Sequence, residues 1–266
     1  MVDLREKRGF IFDLDGVVYI GDTPVEGARE TLTYIRKSGR KVCFLTNNAS
    51  KSRRDYVRKL NGMGIGCSKK EVLTSAYGLA LYLRKKYKKG KCVVIGESGL
   101  NEELRLCGFE VVSGKEGENA DFVAVGIDRR FDYDKLKTAL RAVRNGARFV
   151  AANLNPSKLE EDGIVPGAGA MVAALEISSG VKPEAVIGKP NRTLFEMALT
   201  EMHLKKSEVA KVGDVLDVDI AGGNRFGIYT VLVLTGIAKK EDLRGLGGEM
   251  KPKLVLNSIE DLRKRI

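Results

Sequence analysis

The stretch Phe10-Ile-Phe-Asp-Leu-Asp-Gly-Val-Val-Tyr19 joins a strand-like apolar run to two acidic residues. The run is typical of a strand buried in the middle of a parallel sheet. Asp13 and Asp15 then follow two residues apart, directly before Gly16. Burying two like charges side by side is unfavourable unless another group offsets them. The stretch therefore raises the question of which positive charge lies beside the two aspartates.

Length and composition indicate a soluble globular protein with one large domain or two modest ones. The chain has 266 residues, of which 43% are hydrophobic and 30% charged. It contains no apolar run of membrane-spanning length, and its N-terminus lacks the apolar segment of a signal peptide. We therefore expect a cytoplasmic protein with no membrane partner. The four cysteines form no CxxC pair, so we expect reduced thiols.

The net charge of +11 is compatible with nucleic-acid binding, but its distribution argues against it. The basic residues are spread along the chain, and the one dense run, from Arg84 to Lys91, ends a helical pattern. Few aromatic residues are interleaved with basic ones, so a base-stacking surface has little support. We expect no specific nucleic-acid partner and a weak attraction of anionic substrates.

Strand-like apolar runs alternate with helix-like segments along the whole chain, which is the pattern of a parallel α/β sheet. The strand-like runs begin at Phe10, Lys41, Val72, Cys92, Ala120, Phe149, Ala185, Val209 and Tyr229. There are too many for one simple doubly wound sheet of this length. We predict a Rossmann-like parallel sheet core with helices on both faces, formed by residues 1–78 and 182–266. A smaller α/β cap domain, residues 79–181, is inserted between them.

Polar residues follow several strands of the predicted core. These are Asp13 and Asp15 after the first strand, Thr46, Asn47 and Asn48 after the second, then Lys189, Asp214, Asp217 and Asp219. In open α/β sheets ligands bind beyond the carboxyl ends of the strands, so we expect most of these side chains to converge there. Asp217 fits a supporting position and a solvated loop equally well.

This set combines several carboxylates with a lysine, a hydroxyl and two amides, and such a combination suits the binding of a phosphoryl group. Clustered carboxylates stay charged together only when a cation lies among them, and hard oxygen ligands favour Mg²⁺. The cation and Lys189 would hold a phosphoryl group, and Thr46 and Asn47 would donate hydrogen bonds to it. One carboxylate can then attack phosphorus, and a second can protonate the departing alcohol.

Four segments carry a family resemblance. Asp13-Leu-Asp-Gly-Val-Val-Tyr, Thr46-Asn-Asn, Gly188-Lys-Pro and Gly213-Asp-Val-Leu-Asp-Val-Asp-Ile resemble, in order and spacing, the motifs of haloacid dehalogenase-like hydrolases. The middle of the chain resembles the cap of the NagD-like or p-nitrophenylphosphatase branch. Val125-Gly-Ile-Asp-Arg, Ala152-Asn-Leu-Asn-Pro and Val165-Pro-Gly-Ala-Gly-Ala carry that similarity.

The resemblance implies a role for each matching position in the first two motifs. It implies that Asp13 is the nucleophile and a magnesium ligand. Asp15 is the general acid and base, and its backbone carbonyl also binds the metal. Thr46 and Asn47 bind the phosphate, and we include Asn48 with them.

The last two motifs imply the remaining roles. Lys189 steadies the nucleophile and the phosphate, and Asp214 binds the metal. Asp219 is the last acidic position of the motif and acts on the site indirectly, through water or Lys189. Val218 departs from the pattern because a threonine is expected there, which places a supporting hydrogen bond in doubt.

These expectations describe a Mg²⁺-dependent phosphatase of small phosphomonoesters that works through an aspartyl-phosphate. A sugar phosphate, phosphoglycolate, a nucleotide or a 4-nitrophenyl ester would suit it as substrate, with Asn153, Asn155, Glu161 and Asp162 as candidate cap contacts. A phosphotransferase or mutase would use the same residues, and a basic nucleic-acid-binding protein on a hydrolase fold is a third alternative. A homodimer is compatible with the sequence.

Overall fold

The computed structural model describes residues 4–160 and 163–266, so Glu161 and Asp162 lie outside the described residues. The chain divides into two compact units. The core unit comprises Met1–Thr46, Val57–Leu73 and Lys189–Ile266, and the cap unit comprises Asn47–Tyr56 and Thr74–Gly188. The domain limits given above, at 78/79 and 181/182, stay a prediction.

Strands and helices alternate along the chain. The strands are β1 (Gly9–Phe12), β2 (Tyr19–Ile20), β3 (Thr23–Pro24), β4 (Lys41–Thr46), β5 (Val72–Thr74), β6 (Gly90–Ile95), β7 (Phe109–Val112), β8 (Phe122–Val125), β9 (Arg148–Ala151), β10 (Ser157–Glu160), β11 (Gly163–Pro166), β12 (Ala185–Val186), β13 (Val209–Gly213), β14 (Tyr229–Val233) and β15 (Leu254–Leu256).

The α-helices are α1 (Ala28–Lys37), α2 (Arg53–Gly62), α3 (Ser75–Tyr87), α4 (Ser98–Leu106), α5 (Gly114–Gly117), α6 (Tyr133–Arg144), α7 (Ala168–Ser179), α8 (Thr193–Met202) and α9 (Ala221–Phe226). Short 3₁₀ turns cover Leu4–Glu6, Lys69–Glu71, Lys206–Glu208, Lys240–Leu243, Gly248–Met250 and Ile259–Lys264, and Leu216–Ile220 forms one π-helical turn. None of the helices described here combines the length and the apolar surface that spanning a membrane requires.

The core sheet has six strands in the order β15-β14-β13-β1-β4-β5. Strand β1 lies between β13 and β4 and runs parallel to both, and all four of its residues are buried. This is the position that its apolar run predicts, since a strand covered on both faces needs no polar alternation. The carboxyl ends of β13, β1 and β4 therefore lie next to one another.

The cap unit contains a second parallel sheet in the order β12-β9-β8-β6-β7. Its helices pack on it through buried side chains that include Val123, Phe149, Val172 and Leu175. The predicted α/β fold class, with an inserted α/β segment, is confirmed.

Three details differ from the expectations. The run after Ala185 was expected to belong to the core, but β12 pairs with β9 in the cap sheet. No strand was predicted between the runs that begin at Phe149 and Ala185, but β10 and β11 form an antiparallel hairpin there. Strands β2, β3, β7 and β15 were not predicted either, because runs of two to four residues are too short for their pattern to distinguish a strand. All four cysteines are free thiols, as expected.

Candidate active site

Asp13 and Asp214 follow two adjacent parallel strands at the same edge of the core sheet. Asp13 follows β1 and donates its backbone N–H to the Val212 carbonyl over 2.9 Å. Asp214 follows β13 directly. Parallel pairing therefore brings together two carboxylates that are separated by two hundred residues of chain.

The positive charge that the first stretch demands is Lys189. Its ammonium lies 2.9 Å from Asp13 Oδ1 and 2.7 Å from Asp219 Oδ1, and its side chain is only 1% exposed. Burial by itself lowers the pKa of Lys189, but the Asp13 and Asp219 carboxylates outweigh it and hold the pKa above its ordinary value. Lys189 therefore carries its charge inside the protein.

A second buried lysine, which sequence reasoning missed, also contacts Asp219. The Lys211 ammonium lies 2.9 Å from Asp219 Oδ1, and neither side chain is exposed. The two lysines overcome the effect of burial and hold the pKa of Asp219 well below its usual range. The sequence did contain a signal, because a lysine in the middle of the apolar run of β13 has no solvent to reach.

Asp214 has one oxygen in use and one unpartnered. Its Oδ2 accepts a hydrogen bond of 2.9 Å from the Ile237 N–H, whereas its buried Oδ1 has no hydrogen-bond partner among the described residues. Burial, and then the negative charges of Asp13 and Asp219, raise the pKa of Asp214 to about 8. An unpartnered buried carboxylate oxygen is the arrangement expected where a cation binds.

The Asp13, Asp214 and Asp219 side chains each offer a carboxylate oxygen, and these oxygens lie within 4.8 Å of one another. Burial raises the pKa of Asp13 despite the neighbouring Lys189 charge. Asp219 is already engaged, because Oδ1 accepts from two ammonium groups and Oδ2 from the Val215 N–H at 3.3 Å. The donor set, two hard oxygens in a buried acidic cluster, fits Mg²⁺ at Asp13 and Asp214.

Gly16 holds the backbone beside Asp15 close to Asp214. Gly16 has φ +78°, a left-handed conformation that favours glycine, and a Cβ there would collide with the Asp214 carboxylate. Its N–H donates to the Tyr19 carbonyl at 2.8 Å, and its own carbonyl accepts from Thr235 Oγ1 at 2.6 Å. The half-buried Asp15 is thereby attached to a turn with a defined position.

The predicted phosphate-binding residues belong to both units. Thr46 ends β4 in the core unit and is buried. Asn47 and Asn48 belong to the cap unit. Asn48 Oδ1 accepts the Ser50 N–H at 3.0 Å, which shapes the turn before α2.

Asn153 and Asn155, the two described cap candidates, contact Asn47 within the cap unit. The Asn153 amide donates to the Asn47 carbonyl at 2.7 Å, and the Asn47 amide donates to Asn155 Oδ1 at 3.1 Å. Asp217, in contrast, is exposed and is not one of the three carboxylates that group together in the described part of the chain. This favours the solvated-loop alternative for Asp217.

Two family models match separate parts of the chain. Residues 10–110 match the haloacid dehalogenase-like hydrolase family, and residues 186–262 match a second, HAD-hydrolase-like family. The sugar-phosphatase AraL of Bacillus subtilis is 38% identical over 96% of this chain and 92% of its own length. An acid sugar phosphatase of Staphylococcus aureus is 36% identical over 91% of this chain and 92% of its own length.

Solved structures show the same fold over nearly the whole chain. The p-nitrophenyl phosphatase from Archaeoglobus fulgidus has a TM-score of 0.90 at 35% identity, covering 98% of this chain and 99% of that one. The 4-nitrophenylphosphatase from Thermotoga maritima has a TM-score of 0.91 at 33% identity, with 97% of both chains covered. A glycerol phosphate phosphatase from Mycobacterium tuberculosis, solved with magnesium, has a TM-score of 0.88 at 32% identity, covering 97% of this chain and 76% of its own.

Proposed function

Because this chain belongs to the haloacid dehalogenase-like hydrolases, in their NagD-like branch, and is a phosphatase of phosphomonoesters, we propose that it acts on sugar phosphates with Mg²⁺. The substrate class is favoured by sugar phosphatases among its relatives, two of which align with this chain over more than nine-tenths of their lengths. The observation that carries the proposed mechanism is the Lys189 ammonium, 2.9 Å from the carboxylate of Asp13.

Asp13 is the proposed nucleophile. One of its oxygens attacks phosphorus, the bond from phosphorus to the ester oxygen breaks, and the phosphoryl group becomes an acyl phosphate on Asp13. Lys189 holds Asp13 in place and donates to a phosphoryl oxygen, which stabilises the charge on the transferring group. Thr46 and the Asn47–Asn48 turn would orient the remaining oxygens.

Asp15 is the proposed proton carrier. As an acid it protonates the departing alcohol, and as a carboxylate it then takes a proton from water, which attacks the acyl phosphate and releases inorganic phosphate. The cycle returns both aspartates to their starting states.

The proposed metal site consists of the side chains of Asp13 and Asp214 and the backbone carbonyl of Asp15. Asp219 is not a proposed metal ligand, because it forms ion pairs with Lys189 and Lys211. When bound, Mg²⁺ supplies positive charge that lowers repulsion between Asp13 and the phosphate and polarises the phosphoryl group.

The proposal is tested by phosphate release from a panel of sugar phosphates, phosphoglycolate, glycerol phosphate, nucleoside monophosphates and 4-nitrophenyl phosphate, with and without Mg²⁺. Asp13→Asn should abolish release, and Asp217→Asn, an exposed aspartate of the same chain region, should leave it within about twofold of the parent. Substantial release by Asp13→Asn would contradict the covalent mechanism, and a panel without sugar phosphates among the best substrates would contradict the substrate class. Product analysis in the presence of a second alcohol separates hydrolysis from phosphotransfer.

A further inference from the structure

Lys211 is a buried, charged residue that has no role in the reaction proposed above. It lies in the interior of β13, where all five residues are buried. A lysine there loses its hydration, and burial lowers its pKa. An apolar residue would fill this position without that loss, so the charge requires a reason.

The contacts of Lys211 point to the acidic cluster. Its ammonium donates a 2.7 Å hydrogen bond to the Val212 carbonyl and lies 2.9 Å from Asp219 Oδ1. The same oxygen accepts from Lys189 at 2.7 Å. One carboxylate oxygen therefore binds two ammonium groups, and the Lys189 ammonium also contacts Asp13.

We propose that Lys211 is a positioning residue of the phosphatase reaction that acts through Asp219 on Lys189. Because Lys211 balances part of the negative charge of Asp219, Lys189 can bind Asp13 as well as Asp219. Its ammonium is held midway, 2.7 Å from Asp219 and 2.9 Å from Asp13. Without Lys211, the full negative charge of Asp219 draws Lys189 away from Asp13 and from the phosphoryl group that Asp13 receives.

A purely structural role for Lys211 is the competing explanation, and the chain contains a matched control for it. Lys7 is also a buried lysine of the core unit, 4% exposed, and it donates to the Ser207 carbonyl at 2.5 Å. Its pKa is likewise lowered by burial. Among the described ion pairs, however, none joins Lys7 to a carboxylate of the acidic cluster. Replacing Lys7 removes a buried ammonium without touching Asp219.

The experiment compares Lys211→Met with Lys7→Met in the full-length protein. Methionine is unbranched like lysine and one atom shorter, and it removes the charge. Three quantities are measured for each variant: the melting temperature, kcat and KM for 4-nitrophenyl phosphate with Mg²⁺, and the affinity for inorganic phosphate by calorimetry. The phosphate measurement does not depend on turnover, so it remains informative in slow variants.

We expect Lys211→Met to lower kcat and to weaken phosphate binding, each by about tenfold to a hundredfold, because a small displacement of an anchoring group has effects of this size. Lys7→Met should change both by less than about twofold while lowering the melting temperature. If Lys211→Met does not fold, Lys211→Gln, which keeps a donor for the Val212 carbonyl but no charge, should show the same losses.

The coupling is tested in an Asp219→Asn background, where the charge that Lys211 balances is absent. There, Lys211→Met should weaken phosphate binding by less than about twofold. An undiminished loss in that background, or a Lys211→Met variant that behaves like Lys7→Met, overturns the inference. The inference rests on the proposed roles of Asp13 and Lys189. An active Asp13→Asn variant would refute those roles, whereas an inactive one with a silent Lys211→Met would refute only the inference.

Discussion

The amide of Asn153 donates a 2.7 Å hydrogen bond to the backbone carbonyl of Asn47. The same carbonyl accepts from the Ser75 hydroxyl, and the Asn155 N–H donates to Asn153 Oδ1 at 3.0 Å, which fixes the orientation of the Asn153 amide. Asn47 directly follows Thr46, the last residue of β4. The predicted phosphate-binding segment is therefore anchored within the cap unit by Ser75 and by Asn153, which lie 28 and 106 positions further along the chain.

Asn153→Ala should release this anchor. We expect KM for phosphomonoesters to rise by about fivefold, since one buried hydrogen bond contributes about 1 kcal/mol and the Asn47 carbonyl keeps only its bond from the Ser75 hydroxyl. Asn145→Ala is the matched control, because the Asn145 amide also donates to a backbone carbonyl, that of Glu118, at an exposed place. Steady-state kinetics with both variants measure the effect. If KM changed equally in both variants, Asn153 would contribute to folding and not to phosphate binding.

Asp15→Asn should affect substrates according to their leaving groups. 4-Nitrophenolate departs without a proton, whereas a sugar alkoxide needs one, so formation of the acyl phosphate should slow far more with a sugar phosphate. With 4-nitrophenyl phosphate we expect a burst of about one equivalent of 4-nitrophenol, followed by slow turnover, because the release of phosphate still needs Asp15. Rapid-mixing measurements check this, with Asp13→Asn as the variant that gives no burst. Equal slowing of acyl-phosphate formation with both leaving groups would show that Asp15 is not the acid.

Mg²⁺ should stabilise the protein more at pH 8 than at pH 6. Without metal, burial raises the pKa of Asp214 to about 8, above its unfolded value of 3.8. Its protonated form therefore contributes stability that is complete below about pH 4 and is lost as the pH rises through about 8. Cation and proton compete for the same oxygens, so metal binding should strengthen over this interval.

The measurement is the melting temperature of the protein at each pH with and without Mg²⁺. A gain of 1 kcal/mol corresponds to about 2–4 °C for a chain of this size. Asp214→Asn should abolish both the shift and its pH dependence. A shift that is the same at pH 6 and pH 8 would contradict the assignment of Asp214.

Gly236→Ala should weaken metal binding. A Cβ at Gly236 would collide with the Asp214 carboxylate, whose Oδ2 is held by the next N–H, that of Ile237. Displacing this carboxylate should raise the Mg²⁺ concentration needed for half-maximal activity by about tenfold or more. Gly66→Ala, where a Cβ meets nothing within 4 Å, is the control and should leave the requirement unchanged. An unchanged requirement in Gly236→Ala would place the metal away from Asp214.

Glu184→Gln should reduce stability more at neutral pH than in acid. Glu184 accepts hydrogen bonds from Tyr82, Lys86, Tyr87 and Arg148 at 2.7–3.0 Å, all within the cap unit. Burial alone would raise its pKa, but these donors lower it to about 2 from 4.5. The charged form therefore contributes stability above about pH 4.5 that is lost as the pH falls toward about 2.

We expect a difference of about 1 kcal/mol at pH 7, because the carboxylate is partly solvated and its ion pairs are screened. Chemical denaturation at pH 7 and pH 3 measures it, with Glu116→Gln as the control. Glu116 pairs with Lys91, and its side chain is 54% exposed, against 23% for the side chain of Glu184. A difference that is unchanged at pH 3 would contradict the prediction.

Much of the fold could be predicted from the sequence because its signals are local. Apolar runs such as β1 and β13 and the periodic segments between them indicate strands and helices of an α/β protein, and parallel pairing implies that Asp13, Thr46 and Asp214 end at one edge. The four spaced motifs then predicted a phosphatase. The hairpin of β10 and β11 and the placement of β12 were missed because a two- to four-residue strand is defined by its partner, not by its own pattern.

The sequence by itself determined which residues bear the chemistry and at which edge of a sheet they emerge, since both depend on residue type and strand order. Only the tertiary structure decided their partners. Lys189 and Lys211 meet on one oxygen of Asp219, and Asn153 meets the carbonyl of Asn47. Contacts between residues so far apart in sequence depend on how strands and loops pack, and a few tenths of an ångström in that packing decide whether a buried charge is balanced.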